Sequence, residues 1–244
     1  MLHADRLCVG RRLDDVSVTI PEGQITAICG PNGAGKSTLL DCLAGLVEPQ
    51  SGTVRIGEDD ITDMSARIRA RRIGYLPQTP EIAWDVPVRR LVELGRLPHG
   101  DKRPEPVDAA LRALDLEVFS SRRAQSLSGG ETGRLLLARV LAGEPEWILA
   151  DEPLAALDLA HQLSLIQHLR AVARSGTGVV VVLHDLAVAR NYAHHVILMD
   201  RGRIAGSGPP ETALSEGAIN AVFGVSCAWI GEAGRYALSA CPTQ

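Results

Sequence analysis

Apolar and polar residues alternate along "VSVTI" (16–20), the period-two pattern of a strand with one buried face. "QITAIC" (24–29) is instead nearly continuous in apolar character and runs into a glycine-rich turn, as a buried strand does. A helix is predicted from Lys36 to about Leu46, followed by a turn and strand in "PQSGTVRI" and a short strand in "RRIGYLPQ" (71–78). Between Thr79 and Leu141 the repeat lengthens. "VRRLVELGR", "PVDAALRALDL" and "ETGRLLLARVLAG" place apolar residues every three to four positions, which predicts helices. Strand patterns return in "EWILAD" (146–151), "GVVVVLH" (178–184) and "HVILMD" (195–200), apolar enough to be covered on both faces and separated by helical stretches. "RGRIAGSG" reads as a hairpin return, a short acidic helix is expected near 210–222, and the tail beyond is less regular. This order predicts an α/β fold with a parallel-sheet core and one helical lobe inserted at 79–141.

Composition narrows the class. The 244 residues can bury a sizeable core without staples. Five cysteines (Cys8, Cys29, Cys42, Cys227, Cys241) at wide spacings, with no C-x-x-C pair, predict reduced and mostly buried thiols. A net charge of −4 argues against a protein that coats nucleic acid. "RIRARR" (67–72), the one dense basic run, reads as a solvated segment answering "EDDITD" just before it; a nucleic-acid or lipid-headgroup contact is the lesser alternative. Apolar stretches such as "GVVVVL" fall far short of the roughly 18–20 residues that a membrane-crossing helix needs. The charged start "MLHADRLCVG" does not look like a secretory signal, so a cytoplasmic protein is expected.

The chemistry sits at strand ends. In "GPNGAGKST" (30–38), Gly30, Gly35, Lys36 and Ser37 have phosphate-loop spacing between a strand and a helix. Glycines let successive N–H groups point at phosphate oxygens, and the helix beginning at Lys36 adds its positive end. Lys36 is expected to reach the outer phosphates, and the Ser37 hydroxyl can ligate magnesium. A carboxylate at the end of a neighbouring buried strand is the expected further ligand, and "WILAD" ends in Asp151. Glu152, one residue on, suits a general base for water. His184 ends a strand expected beside the phosphate strand, where it can hydrogen-bond the terminal phosphate or Glu152. A second glycine pair, in "SLSGG" (126–130), opens a lobe helix about ninety residues from the loop. A single nucleotide is not expected to reach both. Two chains head to tail would let Ser128, Gly129 and Gly130 of each meet the phosphate held by the other. The plainer reading, a Ser N-cap, is compatible with that role.

The ordered set "GPNGAGKST", Gln78 in "YLPQ", "LSGGE", "WILADEP", "LAALD" and His184 resembles the nucleotide-binding subunits of ABC transporters over most of the chain. The resemblance implies a P-loop NTPase (RecA-like) core with a mostly parallel sheet, an N-terminal antiparallel β portion and an inserted α-helical signature subdomain. One ATPase domain is implied, with residues 1–78 and 142–225 as core, 79–141 as helical subdomain and 226–244 as tail. ATP and magnesium are the implied ligands, with Asn32, Gly33, Ala34, Gly35, Lys36, Ser37 and Thr38 on the phosphates and Ser37, Gln78 and Asp151 on the metal. Gln78 would also touch the attacking water, "LSGGE" would complete the partner's site, and Asp158 would cross the dimer interface.

Two departures stand out. Relatives commonly stack adenine on an aromatic residue upstream of the loop, yet no Phe, Tyr or Trp precedes Tyr75. Aliphatic contact near Cys8 and Val9, or an arginine face from Arg11 or Arg12, is expected instead. The signature helix reads "GGETGR" where relatives often carry a glutamine pair, and Ala155 stands where a serine is frequent.

"VPVRRLVELGRLPH" (86–99), a helix expected to stop at Pro98, lies where the family docks its membrane partner. The "GRLPH" ending and "AVFGV" (221–225) resemble importer ATPases for ferric siderophores, haem or cobalamin. The implied partners are a second copy, transmembrane permease subunits and, indirectly, a substrate-binding protein, with no nucleic acid. The implied location is the cytoplasmic face of a bacterial inner membrane. An exporter subunit is the alternative, and an ABC-type ATPase acting on DNA or ribosomes a more distant one.

Overall fold

The computed structural model describes residues 1–78, 82, 85–155 and 157–242. Thr79, where the lobe was expected to begin, Ala156 within "LAALD", and tail positions 243–244 lie outside the described residues.

Strands β1 (Leu2–Val9), β2 (Leu13–Ile20), β4 (Ser51–Ile56) and β5 (Asp59–Asp60) form an antiparallel sheet in the order β2-β1-β4-β5. A six-stranded sheet is built from β3 (Ile25–Cys29), β6 (Ile73–Leu76), β7 (Trp147–Asp151), β8 (Gly178–Val182), β9 (His195–Asp200) and β10 (Arg203–Gly208), in the order β10-β9-β3-β8-β7-β6. Only β10 runs antiparallel, as the hairpin return of β9. The helices are α1 (Lys36–Leu43), α2 (Ala66–Arg72), α3 (Val88–Glu93), α4 (Pro104–Ala113), α5 (Gly129–Ala142), α6 (Leu159–Arg174), α7 (Leu186–Tyr192), α8 (Pro210–Ala213) and α9 (Glu216–Phe223). A final hairpin, β11 (Val225–Ile230) and β12 (Ala237–Pro242), closes the described chain.

Continuous apolar runs become central strands because both sheet faces are covered. Along β8, Val179 and Val181 join a cluster with Val88, Leu111, Leu136 and Ile166 of the helices, while Val180 and Val182 join one with Leu2, Val16 and Leu39. β2 shows the predicted one-sided burial, with Val16, Val18 and Ile20 inside and Ser17 and Thr19 outside.

Several expectations are corrected. α1 ends at Leu43 rather than Leu46, because Gly45 takes a left-handed φ of 67° that ends the turn. α3 ends at Glu93 rather than at Pro98, passing into a 3-10 turn over Leu94–Arg96. The single acidic helix is two, α8 and α9. The tail is not irregular: Arg190 of α7 lies 4.6 Å from the Trp229 ring centroid and 4.4 Å from that of Tyr236, and Asn191 exchanges two hydrogen bonds with the Tyr236 backbone. Only Cys29 and Cys42 are buried among the five cysteines, so the thiols are not mostly inside. "RIRARR" is mostly α2. Its Arg72 pairs with Asp59 of the acidic run, as expected, and also with Glu146, while Arg67 and Arg71 both donate to the Pro98 and His99 carbonyls.

Trp147 of β7 faces Gly178 of β8, where a Cβ would stand 2.2 Å from the indole ring. Gly178→Ala is therefore expected to destabilise the chain by about 1–3 kcal/mol through overpacking. A lowered urea midpoint with an unchanged denaturant slope would report it.

Candidate active site

The turn after β3 begins with Gly30 at φ 147°, where a Cβ would stand 2.3 Å from the Met199 carbonyl oxygen. Only glycine fits so close to a neighbouring strand. A Cβ on Gly35, at φ 96°, would stand 2.5 Å from the Arg12 carbonyl oxygen, and Gly35 serves as N-cap of α1 with no side-chain cap. The first N–H groups of α1 are thereby left to an external acceptor, at the positive end of the helix. Lys36 is buried, and its Nζ donates to the Gly30 and Pro31 carbonyls at 2.9 Å each. Burial lowers its pKa, opposed by the nearby Glu152 carboxylate. Asn32, Gly33, Ala34 and Thr38 belong to the same turn and first helical residues.

The strand carrying Asp151 was expected to neighbour the phosphate strand, but β8 stands between β3 and β7. The register still aligns the chemistry. Ile28, Val182 and Asp151 form one row across the three strands. α1 closes the remaining distance, since the Ser37 side chain lies near enough to the Asp151 carboxylate to favour its charged form. Burial raises the Asp151 pKa, and its Oδ1 is buried without a hydrogen-bond partner. An orphaned carboxylate oxygen beside a hydroxyl suits a hard divalent cation.

Glu152 follows on a left-handed backbone, φ 48°, a conformation rare for side-chain-bearing residues and concentrated at functional sites. Its Oε2 accepts from Gln78 Nε2 at 2.7 Å and its Oε1 from His184 Nε2. His184 thus realises the Glu152 alternative, from just beyond β8, the strand beside β3. Gln78 keeps its amide oxygen available. This set can polarise a water with Glu152 while Lys36 and the loop hold phosphate oxygens.

Ser128, Gly129, Gly130 and Asp158 stand apart from the loop. Ser128 caps α5 through a reciprocal bond with Glu131, which matches the plainer local reading. Gly129 borders a cavity of about 320 Å³ shared with Gln78 and Glu152, and no residue of 30–38 lines it. Asp158 caps α6 and lies on the surface. Sequence reasoning did not single out Asp185, Asp41 or His161. Asp185 caps α7 just past His184 and so fixes that histidine's backbone, which an Asp before an apolar run could have signalled. Tyr75 Oη donates to Asp41 at 2.8 Å, joining α1 to the strand before Gln78. His161 is bonded to Asp158 three residues before it, a capping interval visible in sequence.

Comparison with known proteins identifies the family. A family model described as ABC transporter matches residues 13–155. A hemin import ATP-binding protein of Rhodococcus jostii is 42% identical over 232 residues, 91% of this chain and 80% of the relative. A cobalamin import ATP-binding protein of Halobacterium salinarum is 39% identical over 219 residues, 87% of this chain and 55% of the relative. A solved metal-chelate type ABC transporter in an inward-facing conformation superposes with a TM-score of 0.83 at 26% identity, covering 100% of this chain and 97% of that one. A dimeric ATP-binding cassette in a post-hydrolysis state with ADP and Pi gives 0.74 at 29% identity, covering 86% and 99%. A glycine turn on an uncapped helix, a strand-end carboxylate pair and a matching family model over more than half the chain lead to one conclusion: this protein belongs to the ABC transporter family, as an ATP-binding ATPase subunit.

Proposed function

We propose that this ATPase powers uptake of a metal chelate of the haem, cobalamin or ferric-siderophore class through a membrane permease. Two copies close head to tail around two ATP molecules on the cytoplasmic face of a bacterial inner membrane. Residues 1–78 and 142–225 act as the nucleotide-binding core, residues 79–141 as the helical subdomain, and residues 226–244 as a tail. The observation that carries the reading is Glu152, fixed on its left-handed backbone between Gln78 and His184 in the row of strand ends beside the phosphate loop. No helix among the described residues is long and apolar enough to cross a membrane, in keeping with a peripheral subunit that needs a separate permease. The hemin and cobalamin import relatives favour import over export.

In this reading the Gly30–Thr38 turn and Lys36 hold the phosphates. Ser37, Asp151 and Gln78 would hold magnesium, which the unpartnered Asp151 oxygen fits and which supplies charge neutralisation at the outer phosphates when bound. Glu152 accepts a proton from the attacking water through the second lone pair that each of its oxygens keeps beside its one present hydrogen bond. Gln78 and His184 steady the carboxylate through those bonds. Ser128, Gly129 and Gly130 of the partner copy meet the terminal phosphate, and Asp158 lies at the shared interface. Contacts made only to the triphosphate favour the closed dimer, and loss of the terminal phosphate removes that bias.

Glu152→Gln is expected to bind ATP yet hydrolyse it about 10²–10⁴-fold more slowly. The trapped dimer would appear by gel filtration with magnesium and ATP, and a chain that stays monomeric when saturated argues against the sandwich. Lys36→Ala removes the buried cation and should weaken ATP binding by roughly 10²-fold, read by calorimetry. Co-reconstitution with a permease that co-purifies with this ATPase tests the transport direction: ATP-dependent accumulation of a haem, corrinoid or siderophore chelate supports import, and extrusion overturns it.

A further inference from the structure

We infer that His161 is a positioning residue that clamps the Asp158 turn to the first turn of α5, so that both elements meet a partner chain as one rigid piece. The inference rests on the head-to-tail dimer proposed above and adds to it the part that aligns two partner-facing elements within each copy.

Three contacts carry it. Asp158 Oδ1 accepts from the backbone N–H of His161 at 2.9 Å and from its ring Nδ1 at 2.7 Å. With a carboxylate opposite, Nδ1 carries the proton, so both the tautomer and the ring orientation are set. The same ring packs against Gly130 of α5. A Cβ on Gly130 would stand 2.0 Å from His161 Cδ2 and 2.5 Å from Nε2, so only a glycine admits the ring there. One turn along α5, Leu157 brings both its terminal methyls to 3.8 Å from the Cβ position of Gly133. Gly130 and Gly133 are three apart and share a face. Leu157 and His161 flank Asp158 in the chain, so the carboxylate is held between two seats on one helix. A simple N-cap would need the backbone bond alone. The ring's second bond and its seat on Gly130 are what an ordinary cap does not require.

The test uses the full chain in two arms. In the nucleotide-free protein, His161→Ala should speed amide exchange at Thr132 and Gly133 by roughly tenfold through more frequent local opening. In a Glu152→Gln background, the same change should weaken ATP-driven dimerisation, measured by sedimentation, by about tenfold while leaving the ATP affinity of the single chain unchanged. His161→Asn keeps a donor for Asp158 but lacks the ring. Since the backbone cap is kept in both variants, it should match the wild-type melting temperature without recovering dimerisation. Wild-type exchange in His161→Ala would show that there is no clamp. Faster exchange with unaltered dimerisation would make His161 a packing residue only, and either result overturns the assignment. If Glu152→Gln itself stays monomeric with ATP, the dimer reading falls and takes this assignment with it. The exchange arm distinguishes that failure from a missing clamp.

Discussion

The parallel pairing of β3 with β8, and of β8 with β7, is the interaction on which the rest depends. Its register sets Ile28, Val182 and Asp151 side by side, so the loop after β3, His184 after β8 and Glu152 after β7 emerge at one edge. A slip of one residue would turn every side chain of a strand to the opposite face. Both faces are buried, against helices on one side and the antiparallel layer with α1 on the other, so any such slip would disrupt two hydrophobic clusters together. Packing far from that row therefore holds three strand ends in line.

Around that edge, single hydrogen bonds connect elements distant in sequence. Asp41 of α1 and Tyr75 of β6 tie the helix that follows the phosphate loop to the strand that leads to Gln78. Gln78 in turn reaches Glu152 across the end of β7. Arg67 and Arg71 grip the Pro98 and His99 carbonyls, so α2 is fastened to the turn below α3 by two guanidinium groups sharing the same acceptors.

Much of this was legible in the sequence, for definite reasons. Apolar runs such as "GVVVVL" exceed what a half-exposed strand needs, and the phosphate-loop spacing has few uses other than the one it implies. β1 escaped notice because "LHADRLCV" mixes charges into a strand whose register shifts at two irregular points. The order of β7 and β8 depends on which strand pairs with which, and no local pattern records that. The tail hairpin is held by a guanidinium between two rings thirty-nine and forty-six residues further on, a tertiary contact without a periodic trace. The seat of His161 on Gly130 is of the same kind. The Asp-x-x-His interval suggests a cap, but the approach to α5 needs three dimensions.

Lys36 bears on the energetics of substrate capture. Its ammonium already bridges the Gly30 and Pro31 carbonyls, so the turn holds its curvature by itself. A nucleotide meets a preorganised cradle, and capture exchanges one set of hydrogen bonds for another instead of freezing a slack segment. Discrimination at this position then depends on how well an incoming anion replaces two carbonyl oxygens, which favours a polyphosphate with several acceptors over a small singly charged ion.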